Sequence, residues 1–428
     1  MSLNLWTSHR NVRLRLGVNL ANKFLLALMA PLMVLYLAQQ FGNATAGLLL
    51  AVSVGVTMAC TIGGGQLADR WGRRPTLLLT EAAVGLGYLG MALANTVTHS
   101  AAITFGCFLV ATAASGMGLP ANDAVMMDVA TPELRTAIYT VNYWSLNLAF
   151  MVGGMLGGFL YKGHFAGLLV GGAVLTVGVF GVTALWLTET AVRDHEPPQH
   201  GWLRTLLRDY ATAGKDMLFA RLLIAAILIT AVELQLTYYI GIRVADEMPR
   251  QALLHLGGWT FAPDGVELLG VLRTVNTLLV VVLALFAKKL FGWMSDMTRM
   301  VAGIAIFIVA FAVMAYSRDA WVLLAATVVL TVGELMNVPI RQTIMADIIN
   351  PAMRAKYVAL YALRPRAGQL IAAFSLVAAT LLGPIGMAVA FLICGAVAIV
   401  LMLAPARQRH VRLAQFSQAE PALAKGTS

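Results

Sequence analysis

The sequence is poor in charge. Asp, Glu, Lys and Arg make up 12% of its 428 residues, about half the share of a soluble chain, and a water-soluble globular fold is excluded. Cysteine is scarce as well. The three present (Cys60, Cys107 and Cys394) fall inside apolar runs, which suits small buried side chains and argues against a disulfide framework. No G-x4-G-K-[ST] loop is present to cradle ATP phosphates, which disfavours a primary pump. The seven histidines, at 9, 99, 164, 195, 200, 255 and 410, sit in loops, span edges or tails, and there is no H-E-x-x-H. A nucleophile–base pair or metal cluster at membrane depth is therefore missing. We expect no enzyme, no catalytic residue, no bound metal and no cofactor. The first fifteen residues lack the short apolar region and cleavage site of a signal peptide, which predicts an uncleaved first helix.

Apolar sequence takes the place of charge. Hydrophobic residues account for 59% of the chain, and its mean hydropathy is +0.79. Twelve runs stand out: 16–38, 44–66, 77–97, 101–122, 138–160, 165–187, 220–242, 266–287, 300–317, 320–343, 357–380 and 384–404. Runs of this kind are long enough to cross a ~30 Å hydrocarbon core as helices. They are continuously apolar instead of alternating, which excludes a β-barrel. The chain divides into an N-terminal six-helix half (1–188), a polar linker (189–219), a C-terminal six-helix half (220–404) and a tail (405–428). The linker carries Pro197 and Pro198 and predicts a short amphipathic helix around 202–210, lying on the membrane surface.

Placing both termini and the linker in the cytoplasm puts most of the 30 basic residues inside, with Lys162, Arg243, Arg250 and Arg318 outside. We expect a multi-pass protein of the cell membrane with residues 245–262 outside. The net charge of +10 is explained by cytoplasmic loops, without a nucleic-acid partner. The halves also repeat each other: DVATPELRTAIY (128–139) and DIINPAMRAKYV (347–358) share Asp-x3-Pro-x2-Arg at equivalent span junctions, a pattern that suggests parallel repeats.

One loop is an exception to the scarcity of charge. Between spans 2 and 3 the sequence reads GGGQLADRWGRRPT (63–76). The glycines at 63–65 allow span 2 to approach a neighbouring helix closely. Asp69 stands beside Arg70, Arg73 and Arg74, Gly72 permits a tight turn, and Pro75 suits the start of span 3. An ordinary positive loop explains the arginines but not the acid or the glycine spacing.

This stretch resembles the loop 2–3 signature of the major facilitator superfamily, G-x3-[LA]-D-R-x-G-R-[RK]-P, beginning here at Gly65. The resemblance implies an all-α polytopic membrane protein with the major facilitator fold, twelve transmembrane helices in two six-helix halves. It further implies a cytoplasmic latch in which Arg73 meets Asp128, while Asp69 faces the N-terminus of span 11, where a helix dipole favours negative charge. RLGVNL (15–20), NYWSLNLAF (142–150), GELMNVPIRQT (333–343) and ADIINP (346–351) are similar to multidrug/proton antiporters of the drug:proton antiporter branch. GGMLGG (153–158) resembles a degenerate antiporter motif in span 5, with the proline missing. The implied activity is efflux of amphipathic, lipophilic drugs by alternating access, coupled to protons and powered by their gradient, by a monomer in the lipid bilayer. A lipid or metabolite transporter on the same scaffold is the alternative, with a membrane enzyme or sensor far behind.

Charges at membrane depth each ask for a reason, because one costs roughly 2.5–3.5 kcal/mol at the bilayer centre. Glu334 lies 13 residues above Asp347 on span 10, ~20 Å from the cytoplasmic end, and matches an essential acid of the resembling antiporters. With Glu233 and Asp128 it forms the proton-coupling set. Those antiporters place an acid at the position of Thr237. Glu233, ~18 Å deep in span 7, either substitutes for it from the neighbouring turn or pairs with Arg273 of span 8. They also have acids where this chain has Asn142 and near Cys394, where it has none. Lys23 on span 1 makes a polar patch with Asn19 and Asn22. It either snorkels to the surface or faces the cavity, to pair with an acid or meet an anionic substrate group. Arg341, Arg364 and Arg366 fit latch or cavity roles, and Glu81 a structural one. Tyr143 and Trp144, beside Asn142, complete the substrate-cavity candidates.

Overall fold

A computed structural model describes residues 9–190, 208, 210–350 and 353–425. The amphipathic helix expected around 202–210 lies almost entirely outside the described residues. The helices are α1 Arg10–Phe41, α2 Asn43–Trp71, α3 Arg73–Thr96, α4 Ala101–Asp128, α5 Pro132–Trp186, α6 Met217–Glu233 and α7 Tyr239–Glu247. They continue with α8 Gly265–Phe291, α9 Asp296–Tyr316, α10 Ala320–Ile348, α11 Arg354–Tyr361 and α12 Arg364–Lys425. With water absent from the bilayer core, a helix satisfies its backbone groups within itself, which is why apolar runs take this form.

Among the described residues ten helical segments are long and apolar enough to cross a membrane. Two of them lie on helices of 55 and 62 residues, more than twice the ~20 residues a crossing needs. Both are broken, α5 near its middle at Lys162–Gly163–His164 and α12 nearer its start at Gly383. Each is long enough for two crossings if the chain turns at its break.

Three features differ from the sequence reading. Span 7 is not one continuous helix: α6 ends at Glu233, a 3-10 turn covers Leu234–Leu236, and α7 follows. The buried Gln235 holds this break, donating to Ala231 O at 3.1 Å and accepting from Ser375 Oγ at 2.9 Å. Strands β1 Leu254–Leu256 and β2 Trp259–Phe261 pair antiparallel, a hairpin in what was read as an entirely helical chain, with Gly257 at φ +59° in its turn. Within the tail expected from 405, α12 carries on as helix to Lys425.

The chain forms two compact units. One comprises Met1–His195 with Gly241–Thr277, the other Glu196–Ile240 with Leu278–Ser428. The boundary thus departs from a plain split at the linker, because 241–277 cluster with the N-terminal half. In the first unit α3 packs on α4 and α5, α1 on α5, and α2 on α4. Small residues set these approaches, as is usual between membrane helices. Gly64 is one of the close contacts: a Cβ there would stand 2.0 Å from Met117 O. Gly63 and Gly65 have no such neighbour, Gly65 meeting only Pro120 Cβ at 3.9 Å, so the contact expected of three glycines is made by the middle one. On α5, Gly153 and Gly157 meet the α1 backbone at Leu28, and Gly154 and Gly158 meet α8 at Arg273 and Val266. In the second unit α9 packs on α10, and α12 on α6 and α9, with Gly303 and Gly333 backbone to backbone.

Candidate functional site

The loop between α2 and α3 is a cluster of ion pairs built on one helix break. Gly72 sits at φ +105°, a conformation that requires glycine, and a Cβ there would stand 2.5 Å from Glu189 Oε2 and push the carboxylate aside. The next residue starts α3, whose first turn carries no acid. Glu189 supplies one from after α5, accepting from Arg73 N at 3.0 Å and Arg74 N at 3.1 Å. A carboxylate on the first N–H groups of a helix meets both the unpaired donors and the positive end of the dipole. Arg73 reaches Asp128 at 3.4 Å, the pairing the family resemblance implied, and also Asp69 at 2.9 Å, which it did not imply. Thr190 donates to Asp128 at 2.9 Å. Arg74 donates to Ala184 O at 2.7 Å, near the negative end of α5. Arg70 is exposed, as is Asp69, whose side chain is 76% accessible. Glu189 and Thr190 were missed because they read as the first residues of a polar linker.

A second network lies inside the same unit. Arg15 is 2% exposed, and every nitrogen of its guanidinium donates. Nε and Nη2 go to Asn122 Oδ1 (2.8 and 2.6 Å), and Nη1 goes to Glu81 Oε1 (2.8 Å) and Thr183 Oγ1 (3.2 Å). Arg15 is the centre of a core, and Glu81 is its counter-ion. Asn19, expected on a cavity wall, is buried with its amide toward Met126 Sδ at 3.4 Å. Lys23 does not snorkel: its ammonium donates to Asn142 O at 2.7 Å and Asn142 Oδ1 at 2.9 Å. Asp123, which the sequence reading passed over, is exposed on α4 within electrostatic reach of Lys23 and Arg15. Tyr143 and Trp144 are 54% and 46% exposed and meet edge to face. Arg273 lies over the Phe150 ring at 5.8 Å.

The second unit gathers its charges differently. On α10, Glu334, Asn337 and Arg341 recur at helical spacing. Arg341 is 4% exposed, and among the described residues its Nη1 has no hydrogen-bond acceptor. Glu233, Glu334, Tyr361 and Arg364 surround it within electrostatic reach. Asn337 donates to Gly333 O at 2.7 Å, while its own Oδ1 is buried with no donor among the described residues. Thr237 lies just past the 3-10 turn, so it and Glu233 are not successive turns of one regular helix, as their proposed exchange assumed. Below this group, Asp347 and Asp296 share Arg409 (4.0 and 2.5 Å). Asp216 caps α6 and accepts from Arg412 and Tyr357. Burial alone would raise the Asp216 carboxyl, yet these bonds and the Phe219 N–H hold it below the ordinary carboxylate value.

Ahead of α8, Asp264 and Glu267 form a capping box. Asp264 Oδ1 accepts from Val266 N and Glu267 N (2.9 and 3.1 Å), and Glu267 Oε2 accepts from Asp264 N at 2.8 Å. Lys162 adds an ion pair at 2.9 Å. Burial pushes the Asp264 carboxyl up, but these donors outweigh it and leave it lowered.

Comparison with known proteins agrees with this architecture. Residues 16–363 match the family model of the Major Facilitator Superfamily. A "Na(+), Li(+), K(+)/H(+) antiporter" of Planococcus maritimus is 28% identical, over 81% of this chain and 84% of that one. The uncharacterized MFS-type transporter YttB of Bacillus subtilis is 25% identical over 73% and 74%. The crystal structure of a POT family transporter in complex with 5-aminolevulinic acid superposes with a TM-score of 0.73 at 15% identity, covering 96% of this chain and 98% of that one, a likeness of fold. The apolar helices, the loop between α2 and α3 and the match over most of its length place the chain in the major facilitator superfamily, as a multi-pass membrane transporter and not an enzyme.

Proposed function

We propose that the chain is a proton-coupled antiporter exporting amphipathic, lipophilic compounds by alternating access, in the manner of the drug:proton antiporter branch. The observation that carries this reading is the α10 cluster. Two carboxylates at membrane depth, Glu334 and Glu233, lie in electrostatic reach of one buried arginine that keeps an open donor. A carboxyl so placed gains or loses its proton as the polarity around it changes. Proton and cationic cargo then compete for the same charge, which links their opposite fluxes. Asp69, Arg70, Arg73, Arg74, Asp128, Gly65 and Gly72 serve as the gating latch, with Asp128 also exchanging protons. Lys23, Asn142, Tyr143, Trp144, Thr237 and Arg273 are offered as cavity residues. The protein works as a monomer in the cell membrane with both termini in the cytoplasm.

A second cargo is favoured by one observation, the 28% identity to a protein named as an antiporter of sodium, lithium and potassium for protons. The decisive experiment uses one preparation for both. Full-length protein in liposomes under an imposed pH gradient is offered a lipophilic cationic dye, then Na+ or K+. The proposal expects dye transport that Glu334→Gln abolishes while the protein still binds neutral compounds. Accumulation of alkali cations without dye establishes the second reading. Transport at the wild-type rate by Glu334→Gln overturns the role of Glu334.

A further inference from the structure

Lys23 and Asp123 carry opposite charges on two helices of one unit without being bonded to each other. Lys23 gives its ammonium to two neutral oxygens of a single residue, Asn142 O and Asn142 Oδ1. Asp123 accepts one long hydrogen bond, from its neighbour Asn122 Nδ2 at 3.3 Å, and is exposed. A lysine and an aspartate close enough to feel one another ordinarily join directly at such a depth, where a lone charge is costly. Here the ammonium occupies the kind of oxygen-lined position a small cation takes, and the carboxylate is left available.

The surroundings leave few other partners. From α1, Arg15 and Lys23 reach Asp123. Arg15 is already saturated by Asn122, Glu81 and Thr183, which also occupies Glu81, the acid of α3. Along α2 no charged residue precedes Asp69, and Asp69 is paired with Arg73. From α5, Asn142 contributes a neutral amide. Among the described residues, Lys23 is thus the one cation facing Asp123 whose bonds are all to uncharged acceptors.

We propose that Asp123 and Lys23 form a second monovalent-cation site of this transporter. With Lys23 parked on Asn142, the carboxylate holds a proton or an alkali cation. When the ammonium swings onto the carboxylate, that cation leaves. One positive charge departs and the pair becomes neutral, so charge balances without any further group. The proposal rests on the reading of the chain as a cation-coupled transporter, and it adds a coupling site in the unit that lacks Glu334.

The test reads carboxyl protonation and needs no cargo. Full-length protein in liposomes is acidified in choline chloride, and difference infrared spectra record the protonated-carboxyl stretch; the titration is repeated in NaCl and KCl. We expect Asp123→Asn to remove one component of that band and Asp123→Glu to keep it. Lys23→Met should move its midpoint toward higher pH by roughly tenfold in proton concentration, since the carboxylate has lost its counter-cation. A midpoint lowered by NaCl or KCl relative to choline identifies an alkali cation as occupant; an unchanged one identifies the proton. The Glu334→Gln protein should retain the component whatever becomes of its transport, so failure of the α10 reading is distinguishable from failure of this one. A wild-type spectrum from Asp123→Asn, with no shift in Lys23→Met, overturns the proposal.

Discussion

Arg15 and Arg341 are both buried on membrane-crossing helices, the first in one unit and the second in the other, and they are used in opposite ways. Arg15 is 2% exposed and has an acceptor for each guanidinium nitrogen. Arg341 is 4% exposed and keeps Nη1 without one, though two carboxylates lie within reach of its charge. Desolvation costs both residues alike. What differs is how much of the cost is met in this one arrangement. A saturated guanidinium has nothing to gain by changing partners. An unsaturated one does, and for that reason we place structural work on Arg15 and exchange of charge on Arg341.

The largest effect should come from Arg15→Met, which strands Glu81 in the core and should destabilise the protein by about 3–5 kcal/mol. Thermal denaturation in detergent measures it, and a second change, Glu81→Leu, should recover much of the loss by removing the stranded charge. Arg341→Gln sharpens the contrast: transport under a pH gradient should fall at least tenfold, about 1.4 kcal/mol in the barrier, with thermal stability altered far less than by Arg15→Met. Equal destabilisation by the two substitutions would break the comparison.

Smaller effects belong to charges outside the spans. The Asp264 carboxyl is lowered in the folded protein, so its contribution is complete above the ordinary carboxylate value of about 4 and is lost as pH falls through the lowered one. Asp264→Asn keeps a capping side chain but not the charge. It should cost about 0.5–1 kcal/mol at neutral pH, and the difference from wild type should vanish in acid denaturation below that range. Asp69→Asn comes last in stability, below about 0.5 kcal/mol, because the side chain is exposed. Its effect should be on the balance between conformations, a shift of roughly tenfold in populations. Spin-label distances would report it, and an unchanged distribution would reduce the loop to a topology signal.

Much of this was legible in the sequence, for reasons that also mark the limit. Apolar length locates crossings, because hydrocarbon enforces it. The pairing of Arg73 with Asp128 followed from a signature whose residues all appear in one short stretch and at one span end. Arg15 was misjudged because a count of basic residues does not say which way a side chain points. Asp123 was passed over for its closeness to the end of span 4, and its partner, Lys23, lies a hundred residues earlier. The break after Glu233 depends on Gln235 meeting Ser375, a tertiary contact that no local propensity contains. The repeat of Asp128 at Asp347 held for the acids and not for their cations: one meets Arg73 of the preceding loop, the other Arg409 beyond the last span.

The capping of α3 by Glu189 has a consequence for the order in which the chain is made. The carboxylate that completes the loop is 116 residues downstream of the N–H it accepts from. At about 5–20 residues per second of synthesis, the start of α3 waits roughly 6–23 s for its cap. During that interval the hairpin of α2 and α3 must be held by helix contacts alone. The loop that looks most self-contained in the sequence is therefore closed only after α5 has been made.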